Sequence, residues 1–361
     1  MKTFERYVAG LMLTLFSGLS LGLVALFIVI DFGDWLHLYI GKPVADVATL
    51  YGYRGQLAFA QLAPAAMVLA AALTITVVRR RGEWTALRAL GASAFTLVRP
   101  VLLVCAACAA GLVAFEEFAT SDAAPKLDKL LVERFNRQGD MGLMYAPRRW
   151  FRAGDALVNV RGEFQPPVLN DVRVFRLGLS HELVEWTDAR QLTFLAPGRW
   201  RADDARSVRF AGAQVREGGR GTFELDLALE PEAAQLAVGR PEWMPLTRLV
   251  RQVELLNTLK LPSEAVRFSL QQRVALPVAA LLAAFIACVL GLRAALQPST
   301  PRALLEGAAL YGSIFVLGMM ARSLAMNSHL PPDAAAWLTP ALLLVAAVGV
   351  ARRYVSPSAR R

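Results

Sequence analysis

The sequence has little of the chemistry on which enzymes and metalloproteins depend. Its 361 residues include only three cysteines and three histidines. Because His37, His181 and His329 are far apart in the sequence, each is interpreted as a surface or interfacial residue rather than a metal ligand. The sequence contains no GxxxxGK[ST] phosphate loop and no HExxH motif. We therefore predict that the chain is not an ATPase or other enzyme and has no catalytic residues, metal or cofactor of its own.

Two of the cysteines have a CxxC spacing that in other settings indicates a redox or metal site. Cys105 and Cys108 lie in an uncharged hydrophobic stretch without histidine or acidic companions. A thiol in such a stretch is usually a small packing group, and Cys288 lies in a similar stretch. We therefore interpret all three cysteines as packing residues. The polar middle of the chain has no cysteine, so it has to fold without disulfides.

Hydrophobic residues make up 55% of the chain and are grouped in blocks. A helix that crosses about 30 Å of hydrocarbon needs about 20 largely uncharged residues. No cleavage site stands out after the first block, so we interpret it as a retained span rather than a signal peptide. The sequence therefore predicts six spans, at Val8–Ile30, Leu57–Val78, Pro100–Phe118, Val274–Leu292, Ala303–Ala325 and Ala334–Ala351.

The formal net charge of +10 raises the possibility of a nucleic-acid partner. If the N-terminus is cytoplasmic, however, the short loops and tails on that side carry the whole of this excess. This distribution follows the positive-inside rule of membrane proteins. We therefore predict no nucleic acid, two cytoplasmic termini and a large middle segment on the outer side.

The middle segment changes to the period-two pattern of β-strands. In Thr222–Leu229, TFELDLAL, the hydrophobic residues fall on one face of a strand. Similar shorter runs are separated by turns that contain proline and glycine, which favours an antiparallel sandwich or open barrel. This face either forms part of the core or lines an apolar groove, and it consists of Phe223, Leu225, Leu227 and Leu229.

The loop after the second span, Arg79–Ser93, is too long and too patterned to be a plain turn. Trp84, Leu87 and Leu90 recur at helical spacing, and Gly91 can end the helix. A short amphipathic helix at a membrane surface either rests in the lipid headgroups or docks into a groove on a partner protein. The pattern alone leaves both possibilities open.

Four stretches, in this order and spacing, resemble the LptF/LptG family of lipopolysaccharide export permeases. EWTALRALG, residues 83–91, resembles the coupling segment of that family. IDFGDWLHLY after the first span, RFSLQQRVALPVAALLAAF at the fourth and LPPDAAAWLTPALLLVAAVGVARR at the last are similar to stretches that the family has at those places. The resemblance covers nearly the whole chain. Asp31 and Asp34 make it look more like the LptG member than the LptF member.

The resemblance implies a helical membrane protein with an inserted all-β, jellyroll-like domain. Transmembrane helices 1–3 would lie in residues 1–118, with a cytoplasmic coupling helix at about residues 82–91. The periplasmic β-jellyroll with its helical connectors would occupy residues 119–272. Transmembrane helices 4–6 and a short cytoplasmic tail would follow in residues 273–361. The expected location is the bacterial inner membrane.

The resemblance also implies partners and a substrate. Family members form an LptF–LptG heterodimer on an LptB ATPase dimer, which binds the ATP. They extract lipopolysaccharide from the inner membrane, where membrane lipids surround them, and pass it through LptC to LptA. The residues that the resemblance assigns to coupling with the ATPase are Glu83, Trp84, Leu87, Arg88 and Gly91.

The phosphates of lipopolysaccharide would be held by cationic groups at the outer mouth. Arg322 is the best of them, because an arginine inside a span usually faces a cavity or a partner. A carboxylate partner for Arg322 would have to come from another segment, for example Glu116 or Glu117. The alternative for the other candidates is ordinary interfacial anchoring, and those candidates are Lys42, Arg54 and Arg273. The jellyroll would need an apolar groove for the acyl chains, for which Phe223, Leu225, Leu227 and Leu229 are the candidates.

Two other function classes compete with this interpretation. A permease of another ABC exporter type, such as a lipoprotein exporter or a mechanotransmitter, usually has four spans with the periplasmic domain after the first. Here three predicted spans precede it. A membrane receptor that senses through its outer domain needs a cytoplasmic output domain, and the predicted cytoplasmic segments are all short.

Overall fold

The computed structural model describes residues 2–135, 149–160, 164–165, 167–178, 182–211, 214–229, 231, 241–258, 263–293 and 299–355. The chain divides into two compact units. The helical unit comprises residues 1–130, 241–253 and 262–361, and the β unit comprises residues 131–240 and 254–261.

Helices dominate the described part of the helical unit. In chain order they are α1 (Lys2–Tyr39), α2 (Val44–Arg80), α3 (Glu83–Ala89), α4 (Ala94–Phe115), a π-helical turn (Glu116–Thr120), α5 (Ser121–Phe135), a 3-10 turn (Pro241–Trp243), α6 (Leu246–Thr258), α7 (Glu264–Gly291), α8 (Thr300–Met326) and α9 (Pro332–Val355). Two of them, α5 and α6, continue into the residues of the β unit. Among the described residues, six helical segments are long and apolar enough to cross a membrane: α1, α2, α4 with its continuation into α5, α7, α8 and α9.

The six predicted spans are confirmed, although the helices are longer than the hydrophobic blocks. The first block was Val8–Ile30, whereas α1 continues to Tyr39. The extra turns contain polar residues such as Asp31, which lower the local hydropathy without interrupting the helical hydrogen bonds. A hydropathy pattern therefore locates the part of a helix that lies in hydrocarbon, and it does not locate the ends of the helix.

Helix α2 is the most buried of the six candidate spans, and α1 is the least buried. Small residues along α2, including Ala63, Ala66 and Ala70, are fully buried and allow other helices to approach closely. Helix α8 approaches α2 closely at Gly307. A Cβ atom at that position would lie 2.9 Å from Leu69 Cδ2 and 3.3 Å from Leu69 Cα. The packing of α2 against α8 therefore requires glycine there.

The β unit contains seven described strands in one antiparallel sheet. The strand order is β1-β2-β4-β5-β6-β7, with the short β3 paired to β4, so most neighbours in the sheet follow one another in the chain. This confirms the fold class predicted above, a helical membrane protein with an inserted, jellyroll-like β domain. The strands are β1 (Arg149–Ala153), β2 (Ala156–Val160), β3 (Phe164–Gln165), β4 (Val168–Leu177), β5 (Leu183–Ala196), β6 (Arg199–Ala211) and β7 (Gln214–Asp226).

One face of the sheet carries the core of the β unit. Trp200 is fully buried, stacks edge-to-face on Phe194 with ring centroids 5.3 Å apart, and donates its indole N–H to the carbonyl of Leu229 at 2.9 Å. The alternating face predicted at Thr222–Leu229 belongs to this core. Leu225, Leu227 and Leu229 are buried, and Phe223 packs against them.

The close approach at Gly307 can be tested with a matched pair of variants. We expect Gly307→Val to lower the melting temperature of the detergent-solubilised protein by several degrees, since overpacking a helix interface costs about 1–3 kcal/mol. Gly312→Val is the control, because no atom lies within 4 Å of a Cβ at that position of the same helix. Equal losses in the two variants would show that valine weakens the helix itself and that the contact with Leu69 is not limiting.

Candidate functional site

The helical unit has two ends at which charged side chains gather. We call the insertion end the one where α4 ends and α7 begins, because these two spans flank the β unit in the sequence. We call the terminal end the one where α2 ends and α3 lies. The predicted lipid-phosphate residues belong to the insertion end, and the predicted coupling residues belong to the terminal end.

Two described ion pairs at the insertion end involve Glu116 or Glu242, and Arg273 of α7 is the most enclosed residue in them. Its side chain is only 6% exposed. Its guanidinium donates to Glu116 Oε2 at 3.0 Å and to the main-chain carbonyls of Glu242 and Met244 at 2.9 and 2.6 Å. A buried charge is tolerated when it is paired and its donors are satisfied. Arg273 therefore fastens the 3-10 turn Pro241–Trp243 to α7.

The neighbouring carboxylate, Glu117, fixes the start of α6. Its Oε2 accepts a hydrogen bond from the backbone N–H of Leu246, the first residue of that helix, at 2.6 Å. The first N–H groups of a helix have no partner within the helix and carry the positive end of its dipole, so a carboxylate is well suited to them. Glu116 and Glu117 lie in the π-helical turn after α4, a kind of turn that is often found at functional sites.

Arg322 of α8 pairs with the carboxylate of Glu242 in the 3-10 turn. The prediction that Glu116 or Glu117 would supply this partner is wrong. Glu116 is engaged by Arg273 and Glu117 by the start of α6, so neither carboxylate is available. Unlike Arg273, the Arg322 side chain is 46% exposed.

The remaining predicted phosphate-binding residues lie on α2 and just before it. Arg54 is only 4% exposed and pairs with Asp31 of α1, whose carboxylate also accepts from Tyr51 Oη at 3.0 Å. A phosphate could reach Arg54 only by displacing Asp31. Lys42 lies in the turn between α1 and α2 and is half-buried.

A groove opens between α2, α7, α8 and α9 at the insertion end. Its volume is about 510 Å³, and Arg322 and Glu242 both line it. Much of the rest of its wall is apolar, including Phe268, Ile314 and Phe315. A second, smaller cavity of about 170 Å³ is lined by Glu116, Arg273 and Glu242.

At the terminal end, α3 is fastened to the rest of the unit by its first turn. Trp84 is buried in the same hydrophobic cluster as Val8 of α1. The Tyr7 hydroxyl donates to Glu83 Oε1 at 3.0 Å, and Arg81 donates to that hydroxyl at 2.7 Å. Sequence reasoning missed Tyr7, because 76 positions separate it from Glu83 and its own helix shows only a hydrophobic pattern.

The other end of α3 is exposed. Leu87 packs partly against the hydrophobic cluster, whereas Arg88 is exposed and Leu90 is 85% exposed. Gly91 has a φ of +81°, and the N–H of the next residue, Ala92, donates to the Leu87 carbonyl at 3.0 Å. This is the Schellman arrangement in which a glycine ends a helix. The predicted role of Gly91 in ending the helix is therefore confirmed.

A family model described as Lipopolysaccharide export system permease LptF/LptG matches residues 6–353. The chain belongs to the LptF/LptG family. The match runs through all six candidate spans and the β unit. No curated protein matches the chain significantly. Because the family includes both members, the assignment to LptG stays a prediction.

Membership of the LptF/LptG family makes the chain a component of a lipopolysaccharide export permease, and its six apolar spans agree with a multi-pass protein of the inner membrane. It also decides against the two competing function classes, another type of ABC exporter and a receptor. The three cysteines are unpaired, and Cys105 and Cys288 are buried in the hydrophobic cluster of the spans.

The first span of this LptF/LptG permease contains a motif that is also found in hydrolases. Residues Gly18–Gly22 spell GLSLG, which fits the GxSxG pattern of hydrolases. In those enzymes the serine sits on a sharp turn between a strand and a helix. Here Ser20 lies buried in the middle of the continuous helix α1, so the arrangement that makes such a serine a nucleophile does not form.

The two arginines of the insertion end are expected to differ in their effect on stability. Arg273→Ala leaves the Glu116 carboxylate and two carbonyls without their donor, and breaking a buried pair in this way costs about 3–5 kcal/mol. Arg322→Ala removes a half-exposed pair, worth about 0–1 kcal/mol. Thermal unfolding in detergent should therefore show a large loss for Arg273→Ala and a small one for Arg322→Ala. Similar losses would contradict the assignment of Arg273 as the structural anchor.

Proposed function

We propose that this permease extracts lipopolysaccharide from the inner membrane and passes it to a periplasmic bridge, driven by a separate ATPase. The observation that carries the proposal is the family match over residues 6–353, which includes every span and the β unit. The sequence supports the division of labour, because it contains no phosphate loop with which to bind ATP.

The proposed partner at the terminal end is an LptB-type ATPase dimer that docks on α3. A docking helix has to be held firmly on one side and exposed on the other. Glu83 and Trp84 are bound within the chain, whereas Arg88 and Leu90 are exposed. Arg88, Leu87 and the residues around Gly91 are therefore proposed to meet the ATPase, and Glu83 and Trp84 to orient the helix for it.

The proposed partner within the membrane is a paralogous permease, of the LptF type if this chain is LptG. Helix α1 exposes large apolar side chains along its length, among them Leu21, Leu26, Val29 and Ile30. Helix α8 exposes Phe315, Met319 and Met320. Membrane lipids or a second permease of the same family can cover these faces, as helix packing in bilayers requires.

The substrate is proposed to enter at the insertion end, which we place on the periplasmic side. Arg322 and Lys42 are the more accessible cations there, whereas Arg54 and Arg273 are enclosed in ion pairs. The lipid would then pass to the β unit and on to LptC-type and LptA-type proteins. Leu225 and Leu227 are buried in the core of the β unit, so this core would have to open to provide a groove for acyl chains. The role of this face in binding acyl chains therefore stays a prediction.

Orientation in the membrane can be measured by cysteine labelling in a variant whose three native cysteines are replaced by alanine. We expect Arg190→Cys, at an exposed position on β5, to react from outside the cell with a membrane-impermeant maleimide. Ser358→Cys in the C-terminal tail should react only after the membrane is opened, because the basic loops hold the termini inside. Labelling of position 190 only from inside would reverse the proposed topology.

The transport proposal can be tested by co-purifying the permease with its paralogue and an LptB-type ATPase, and measuring ATP-driven lipopolysaccharide transfer from proteoliposomes. We expect Glu83→Ala to weaken ATPase binding or coupling by about ten- to 150-fold, since a hydrogen bond to a charged group contributes about 1.5–3 kcal/mol. Glu5→Ala removes a carboxylate near the start of α1 and serves as the control. No ATP-driven transfer by the wild-type complex would contradict the proposed function.

Tyr7→Phe separates two possible actions of Glu83. It removes the Tyr7 hydroxyl but leaves the carboxylate in place. If Glu83 acts by holding α3 against α1, Tyr7→Phe should reproduce part of the coupling defect of Glu83→Ala. If Glu83 instead binds the ATPase directly, Tyr7→Phe should transfer lipopolysaccharide normally.

A further inference from the structure

Two arginines bind the 3-10 turn, and their guanidinium groups have different kinds of partner. Arg273 is almost completely enclosed and donates to one carboxylate and two main-chain carbonyls. Arg322 is 46% exposed and meets a carboxylate, that of Glu242, which is itself 29% exposed. An ion pair that is open to water or to an incoming ligand is weaker than an enclosed one, so its partners can be exchanged. Arg322 therefore offers an exchangeable position, whereas Arg273 does not.

Glu242 can give up Arg322 without releasing the turn to which it belongs. Its main-chain carbonyl accepts from Arg273 Nη2 at 2.9 Å, and the carbonyl of Met244 accepts from the same nitrogen at 2.6 Å. The turn is thus held by its backbone and by the buried side chains of Trp243 and Met244, whereas the Glu242 carboxylate pairs with Arg322. A rotation of that side chain is sufficient to free the guanidinium.

The exchangeable position faces a groove that suits an amphipathic molecule. Arg322 and Glu242 are charged members of the lining of the groove of about 510 Å³, and apolar side chains make up much of the rest. Apolar lining residues include Phe268, Leu276, Ile314 and Phe315. With a lipid phosphate at Arg322, the acyl chains of the same molecule could lie along this apolar wall.

We propose that the Glu242 carboxylate is a built-in competitor for lipid phosphate at Arg322. The inference rests on the proposed function and specifies how its substrate, lipopolysaccharide, is bound and released. Carboxylate and phosphate oxygens both accept charge-assisted hydrogen bonds from a guanidinium, and a phosphate carries the greater negative charge. Substrate phosphate therefore displaces Glu242, and the displaced carboxylate returns to Arg322 when the lipid leaves.

A competitor of this kind has a clear use in transport. A half-buried arginine that was left unpaired would bind an anionic lipid tightly and hold it. With Glu242 beside it, the resting site is neutral, and the bound phosphate lies next to a carboxylate that repels it. The site then binds the lipid strongly enough to admit it and weakly enough to let it go.

The experiment measures lipid occupancy with p-benzoylphenylalanine in place of Phe315, which lines the groove and is an exposed aromatic residue. Crosslinks to lipopolysaccharide are quantified in the intact complex without ATP. We expect Glu242→Gln to raise crosslinking about three- to tenfold and Arg322→Gln to reduce it to background. The double variant should resemble Arg322→Gln alone, because Glu242 acts through Arg322.

Asp333→Asn provides a matched control. Asp333 pairs with Arg267 between α9 and α7, and the two side chains are 41% and 40% exposed, much like the pair at Arg322. Neither residue is part of the groove lining. Asp333→Asn should therefore leave the crosslinks unchanged.

Two results would overturn the competitor inference alone. One is normal lipopolysaccharide transfer and crosslinking in the wild type with no increase in Glu242→Gln. The other is an equal increase from Glu242→Gln with and without Arg322, which would mean that the carboxylate only repels the lipid. Failure of the proposed function would look different, with phospholipid crosslinks but no lipopolysaccharide crosslinks in any variant and no ATP-driven transfer.

Discussion

The buried guanidinium of Arg273 is the interaction on which the insertion end of the helical unit depends. A charge that is nearly withdrawn from solvent has to be paired and hydrogen-bonded, so its neighbours are not free to vary independently. The Glu116 carboxylate in the π-helical turn and two carbonyls around the 3-10 turn meet this requirement. The end of α4, the first half of α7 and the 3-10 turn before α6 are thereby fixed to one another. The adjacent Glu117 extends the same arrangement to the first turn of α6.

Because Arg273 holds the 3-10 turn in place, the neighbouring charged side chains are free to change partners. Arg322 and Glu242 do not have to hold the 3-10 turn, since Arg273 already does, and their exposure makes their own pairing weak. The same division appears at the terminal end. There Trp84 is buried and anchors α3, whereas Arg88 remains exposed. In both places a buried group supports an accessible one, which is how a binding surface is held in position without losing its ability to bind.

The sequence predicted the spans, the inserted β domain and the alternating face around Leu225, because each is a repeating pattern within one segment. It also predicted that α3 ends at Gly91. It did not predict the partners of the charged residues. Glu242 is 80 positions before Arg322 and lies in a short turn without periodicity. The partner of Arg322 depends on which carboxylates are already engaged, as Glu116 is by Arg273 and Glu117 by the start of α6.

Helix α1 shows how such long-range polar contacts bear on movement. It is the least buried of the six candidate spans, although Val8 and Met12 in its first half are fully buried. Polar contacts join it to its neighbours near both ends: Tyr7 to Glu83 of α3, and Asp31 to Arg54 and Tyr51 of α2. A partner that displaced α3 would therefore either carry the start of α1 with it or break the hydrogen bond between Tyr7 and Glu83. Val8 and Met12 of α1 are fully buried in the same cluster as Trp84, so moving the start of α1 would disturb this packing. Breaking the exposed hydrogen bond between Tyr7 and Glu83 is therefore the less costly of the two outcomes, and the buried pair of Asp31 and Arg54 holds the far end of α1 to α2.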